Sequence, residues 1–244
     1  MIKQIVLIFI DTFDFFHKKK IINFLKSKNF NYFPTVFDVG AHKGESINLF
    51  LSNFKVDKII SFEASPVNFF LLKKKEKLLK KKFNKSKILL ENIAIGSAKK
   101  NVILNQFKES SSTTISEINK NSSYFKKKFK FLNFFKNNEI FYPIEIETEN
   151  LDTYMENNNI NFIDFLKIDT EGYENEILLG LKQKLSKVKL VMFEHHYDNM
   201  IKKNYTFRDI NEILIKNNFK MIFKAKMPFR KTFEYIYINR SFAF

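Results

Sequence analysis

Short apolar runs rich in β-branched and aromatic residues recur along the chain, separated by stretches in which apolar positions return every three or four residues. The runs Val36–Val39, Ile59–Glu63, Ile88–Ile93, Val102–Phe107, Ile144–Thr148, Phe162–Ile168, Val188–Glu194, Lys220–Lys224 and Glu234–Ile238 read as strands. Helices are expected at Lys43–Leu51, Pro66–Lys81, Glu174–Leu181 and Thr206–Asn217, with an N-terminal one over about Phe13–Lys28. Such alternation implies an α/β fold with a mainly parallel sheet and helices on both faces. Pro66 suits the first turn of its helix, where its missing N–H does no harm, and Ser65 can cap it. Residues 1–34 are expected to be a helical segment packing on a single domain of residues 35–244, a size sufficient for one buried core. Residues 110–142 break the alternation and are too long for an ordinary connection, so they read as an inserted lid, with a disordered surface loop as the alternative.

Two of the runs end in groups that carry chemistry. The first leads into Asp38-Val39-Gly40-Ala41-His42-Lys43-Gly44, where the glycines let the backbone turn tightly into a helix. The next strand ends at Glu63, 23 positions past Gly40 and near the spacing of about 20 at which a carboxylate meets ribose hydroxyls in nucleotide-binding α/β folds. A dinucleotide loop, G-x-G-x-x-G, aims N–H groups at a pyrophosphate. Here the pattern is G-A-x-x-G, which suits S-adenosylmethionine better, because that cofactor has no phosphate. Asp38 suits its sulfonium charge. A bare turn is the bland reading of the two glycines.

The second group is Lys167-Ile168-Asp169-Thr170-Glu171-Gly172-Tyr173-Glu174, an apolar strand closing in charges, a glycine and a helix. Together with the Asp38–Gly44 loop, Phe62-Glu63-Ala64-Ser65-Pro66, Asn92-Ile93-Ala94-Ile95-Gly96 and Leu151-Asp152, it resembles the FkbM family of S-adenosylmethionine-dependent methyltransferases over about Val36–Glu194. The resemblance implies a Rossmann-like class I methyltransferase with a seven-stranded sheet, moving a methyl group to a hydroxyl oxygen. It assigns Asp38, Gly40, Ala41 and Gly44 to the cofactor loop and Glu63 to the ribose. Asn92 and Ala94 fall beside the adenine, and Lys167, Asp169 and Glu171 at the reacting edge. Ala64-Ser65-Pro66 departs from the family, whose proline commonly follows the acidic residue directly, and Thr170 stands where an aliphatic residue is usual. The acceptor would be a sugar or another small-molecule or glycan hydroxyl, with the 110–142 insertion as its candidate binding segment.

An alcohol needs a positioned base before it attacks. Asp169 is the first candidate, with Lys167 tuning it; a salt bridge fixing the strand edge is the competing reading of that pair. His195 or His196 could serve instead, oriented by Glu194, because imidazole titrates near neutrality. Glu171 and Glu194 are candidate acceptor ligands. Asp169, Glu194 and His195 lack a recognisable ligand spacing, so no metal is expected.

The formal net charge of +16 narrows the choice of partners only slightly. Arginine occurs only at Arg208, Arg230 and Arg240, whereas bidentate readers of bases and phosphates lean on arginine. No specific nucleic acid is therefore expected, and a basic RNA-binding module ranks behind an enzyme. An NAD- or nucleotide-sugar-dependent oxidoreductase is the enzymatic alternative, disfavoured by the missing third glycine. Lys73–Lys82 reads as a solvated helix face. With no cysteine the chain fits a reducing, cytoplasmic setting. The apolar run closing at Asp11 is far shorter than the ~20 residues of a spanning helix. It reads as a packing segment ahead of a weak membrane-surface anchor.

Overall fold

Apolar residues on alternate positions of the central strands give both faces of one sheet something to bury. The computed structural model describes residues 2–108, 112–127 and 140–242, with side chains from residue 13 onward. The first half runs α1 (Ile2–Ser27), β1 (Tyr32–Val39), α2 (Glu45–Asn53), β2 (Lys55–Phe62), α3 (Pro66–Lys82), β3 (Lys87–Glu91), β4 (Ala94–Ile95) and β5 (Lys100–Phe107). After β6 (Glu117–Ile118) and a helical stretch at 123–127 come β7 (Phe141–Glu149), α4 (Leu151–Asn157), β8 (Ile163–Ile168), α5 (Glu174–Leu179) and β9 (Val188–His196). The chain closes with β10 (Ile201–Lys202), α6 (Phe207–Lys216), β11 (Phe219–Lys226) and β12 (Thr232–Asn239).

Seven strands form the main sheet in the order β11-β12-β9-β8-β1-β2-β3. The five from β9 to β3 are parallel, while β12 runs antiparallel to β9 and β11 antiparallel to β12. The sheet is mainly parallel and seven-stranded, as expected, with β12 reversed between β9 and β11. Two of the expected strands lie outside it. β5 and β7 pair antiparallel with each other, and β4 joins them in a separate three-stranded sheet, so strand–helix alternation overstated the main sheet there.

Period-two alternation sorts the core into two layers. Phe37, Ile60, Leu166, Val191 and Tyr235 meet residues of α4, α5 and α6, whereas Val36, Ile59, Phe165, Leu190 and Ile236 meet residues of α1, α2 and α3. Ser65 caps α3 by accepting from the Asn68 N–H at 3.0 Å, with Pro66 in the first turn. The helix α4, not foreseen, is only 7 residues long, too short for periodicity to register; it buries Leu151, Tyr154 and Met155 and takes its cap from Asn150. From β1 the chain steps outward through β2 to β3, and it later returns to lay β8 and β9 on the other side of β1. The order therefore reverses between β1 and β8, which opens a crevice at their carboxyl ends, the usual ligand position in such sheets.

Candidate active site

The loop after β1 is held by its neighbours. The Gly40 and Ala41 N–H groups donate to the Phe62 carbonyl at 3.0 and 2.9 Å, bringing the loop against the end of β2. Glu63 then receives the His42 N–H on one carboxylate oxygen at 2.7 Å and the Ser65 N–H on the other at 2.9 Å. Its backbone carbonyl accepts from the Asn92 side chain at 2.8 Å. Burial pushes the Glu63 carboxyl up to about 7, although those N–H groups favour its charged form. Gly40 sits at φ +86°, and a Cβ there would lie 1.9 Å from the Asp169 carbonyl oxygen. The close approach expected of Gly40 is thus made first to the chain itself, at the seam between β1 and β8.

Across that seam Lys167 lies between two carboxylates. Its Nζ is 3.1 Å from Asp38 Oδ1 and 3.3 Å from Asp169 Oδ2, and it donates to the Gly40 carbonyl at 3.4 Å. Burial alone would depress the Lys167 ammonium, but Asp38 and Asp169 outweigh it and hold the cation above its ordinary range. Burial likewise opposes ionisation of Asp169, yet Lys167 dominates and keeps that carboxyl below its ordinary value. Asp38 is fully buried, whereas the Asp169 side chain is 36% exposed and lines the cavity over the seam.

The loop from Asp169 to Glu174 is backbone under tension. Glu171 has a left-handed φ of +54°, held in a non-glycine residue only where the surroundings impose it, and Gly172 follows at φ +98°, which glycine adopts freely. Glu174, 1% exposed, holds the loop by accepting from the Gly172 N–H at 2.9 Å, the Thr170 hydroxyl at 3.3 Å and the Tyr205 hydroxyl. Thr170 thereby gains a partner that an aliphatic residue would not have. From outside, the Thr114 hydroxyl donates to the Glu171 carbonyl at 2.7 Å and the Ser116 hydroxyl to the Gly172 carbonyl at 2.8 Å. These two come from the insertion, of which residues 110–111 and 128–139 lie outside the described chain. β6 anchors the same segment by pairing with β10.

The cavity over the crevice has a volume of about 1290 Å³. One half is lined by Gly40, Ala41, Glu63, Ala64, Ile93 and Ile95; the other by Asp169, Glu171, Glu194 and His196, with α1, the insertion and the 227–231 turn closing around them. Asp14 of α1 pairs with Arg230 at 3.1 Å, and His17 with Glu234 at 2.7 Å. Spacing gave no sign of these contacts between ends of the chain. Among the described residues no group of three or more His, Asp or Glu side chains is arranged to hold a metal ion.

The Methyltransferase FkbM domain family matches residues 38–221, most of the chain and all of this seam. The chain belongs to the FkbM methyltransferase family. That membership makes S-adenosylmethionine, the donor implied by the sequence resemblance, the cofactor against which the cavity is to be judged. Among solved structures, the FkbM methyltransferase of Methylobacillus flagellatus KT is similar, with a TM-score of 0.56 and 16% identity over 84% of this chain. This chain spans 43% of that protein, less than half its length. Magnesium protoporphyrin IX methyltransferase of Synechocystis PCC 6803, solved with bound S-adenosylhomocysteine, is similar with a TM-score of 0.51 and 9% identity over 94% of this chain and 84% of its own. At such identities the likeness is one of fold. No curated protein sequence matches the chain.

The FkbM chain offers this cofactor a fitting half-cavity: a glycine turn whose Cβ space is closed, a buried carboxylate, and apolar walls at Ile93 and Ile95. Not every expected cofactor residue lines it. Asp38 is paired with Lys167 and is not among the residues that line the cavity. Gly44, at φ +86°, packs α2 against α3, where a Cβ would lie 2.9 Å from Leu72. Asn92 braces Glu63, and Ala94 is buried in β4 between the two lining isoleucines. His195 and His196 part company because neighbours on a strand face opposite sides. His195 is turned from the cavity into Tyr197, Tyr205 and Phe207, and burial, with Lys203 and His196 adding to it, pulls its imidazole down to about 3. His196 faces the cavity, with Nε2 3.1 Å from Glu194 and 3.2 Å from Glu171, at ion-pair distance rather than in aligned hydrogen bonds. Burial opposes its charge, but Glu171, Asp198 and Glu194 prevail and raise the imidazole well above its ordinary value.

Proposed function

We propose that this FkbM methyltransferase moves a methyl group to a hydroxyl oxygen of a sugar or other small-molecule or glycan acceptor, with Asp169 as the group that orients the hydroxyl and takes its proton. The observation that carries this reading is the position of Asp169: its carboxylate opens into the cavity at the β1–β8 seam, held ionised by Lys167. S-adenosylmethionine, when bound, supplies an activated methyl group and a neutral leaving group. Methyl transfer of this kind is an in-line displacement, so alignment of the acceptor oxygen is the main demand on the protein. Glu63 would hold the ribose hydroxyls, and Ile93 and Ile95 would supply apolar wall for the adenine.

On the other side, Glu171 and Glu194 accept from acceptor hydroxyls, which fits a polyhydroxylated molecule better than an apolar one. His196, carrying a proton of its own, holds those two carboxylates in place and is not free to remove another. The base role therefore falls to Asp169, and Lys167 keeps it ionised and aimed. As the new oxygen–carbon bond forms, the hydroxyl proton passes to Asp169.

In a kinetic test, Asp169→Asn keeps S-adenosylhomocysteine affinity and lowers turnover by roughly 10²–10⁴-fold, the usual contribution of a positioned base. Should His196→Ala lose turnover to that degree while Asp169→Asn stays active, the base is the histidine and this reading fails.

A further inference from the structure

The outward face of α1 carries chemistry that methyl transfer does not use. Its inward positions, His17, Ile21, Ile22 and Leu25, are buried against the domain. The opposite side shows Phe15 at 61% and Phe16 at 58% exposure, their rings 5.8 Å apart, followed by exposed Lys19, Lys20 and Lys26. No acidic residue is among the exposed positions of α1 from Phe15 onward. Toward its start the same helix runs through Ile5-Val6-Leu7-Ile8-Phe9-Ile10.

Aromatic rings in water gain nothing for a free globular chain, and lysines directly behind them would repel a second copy of the same face. Rings leading and cations trailing is the pattern by which a helix lies in the boundary of an anionic bilayer: the rings enter the acyl edge and the ammonium groups stay among the headgroups. We propose that the outward face of α1 docks this protein on an anionic membrane surface. The net charge of +16 adds a long-range attraction to the same surface. Among the described residues no helix is long and apolar enough to cross a membrane, so the contact is interfacial.

The test is flotation of the full chain with vesicles of phosphatidylcholine mixed with phosphatidylglycerol, and with phosphatidylcholine alone. The chain is expected to float with the mixed vesicles and to stay in solution with the neutral ones. Phe15→Ser with Phe16→Ser should weaken partitioning by on the order of a hundredfold, from the loss of two buried rings. Lys19→Glu with Lys20→Glu should weaken it as salt does. Neither pair lines the cavity, so S-adenosylhomocysteine binding and circular dichroism should stay native in both. The proposal is overturned if the native chain ignores the mixed vesicles, or if the double-serine variant floats as well as the native chain. It is also overturned if sedimentation shows a dimer abolished by the serines with no vesicle binding, since the face would then belong to a second copy.

Discussion

Glu63 meets two opposing influences: backbone N–H groups that favour its carboxylate and a burial that disfavours it, with burial prevailing and raising its pKa to about 7. Because the folded value lies above the unfolded one, this group's contribution to stability is fully present below about 4.5 and is lost as pH rises through about 7. Glu63→Gln should flatten that part of the stability–pH curve, measured by denaturant midpoints on either side of neutrality. Cofactor binding has the opposite sign, because ribose hydroxyls donate to the ionised form. S-adenosylhomocysteine affinity is therefore expected to rise with pH through about 7 in the native chain and to lose that dependence in Glu63→Gln. A flat calorimetric profile in the native chain would remove Glu63 from the ribose. At this scale the sequence was legible where one residue type is indispensable, as at Gly40, and less so where orientation decides. The alternation that places His196 with Glu194 and turns His195 away follows from strand spacing alone. What else His196 touches there comes from Asp198, two residues further on, and from Glu171, on the loop after β8.

The β1 turn and the loop after β8 act as one unit, because Gly40 packs on the Asp169 carbonyl and Glu174 ties down Thr170 and Gly172. Gly40→Ala should lower the unfolding midpoint as well as cofactor affinity, since the left-handed φ costs about 1–3 kcal/mol before the clash is counted. A native melting temperature would show that the seam tolerates separation. Glu174→Ala leaves the Gly172 N–H and the Tyr205 hydroxyl without this acceptor, at about 1–3 kcal/mol for each buried group. Turnover should fall as Asp169 loses its fixed position, and Glu174→Gln, which keeps an acceptor oxygen, should recover much of it; equal losses in both would point to charge rather than geometry. The elements themselves were largely legible, because each main strand is a β-branched or aromatic run. Short pieces such as β4, β6 and β10, two residues each, carry no periodicity to read.

In the whole molecule, hydrophobic alternation revealed two buried faces but not which strand lies beside which. β5 and β7 look in sequence like any other sheet strand, and only their pairing removes them from the main sheet. The walls of the cavity have different origins as well. Gly40, Glu63, Asp169 and Glu194 stand at strand ends of the main sheet, whereas α1, the insertion and the 227–231 turn are added from the periphery. Among the described residues, those peripheral pieces share no hydrogen-bonded ladder with β1 or β2. A lineage could then swap its acceptor while inheriting its donor machinery intact, one interchangeable mouthpiece on a constant engine. Grafting a foreign turn over 227–231 should accordingly change which alcohols are methylated and leave S-adenosylhomocysteine affinity as it was.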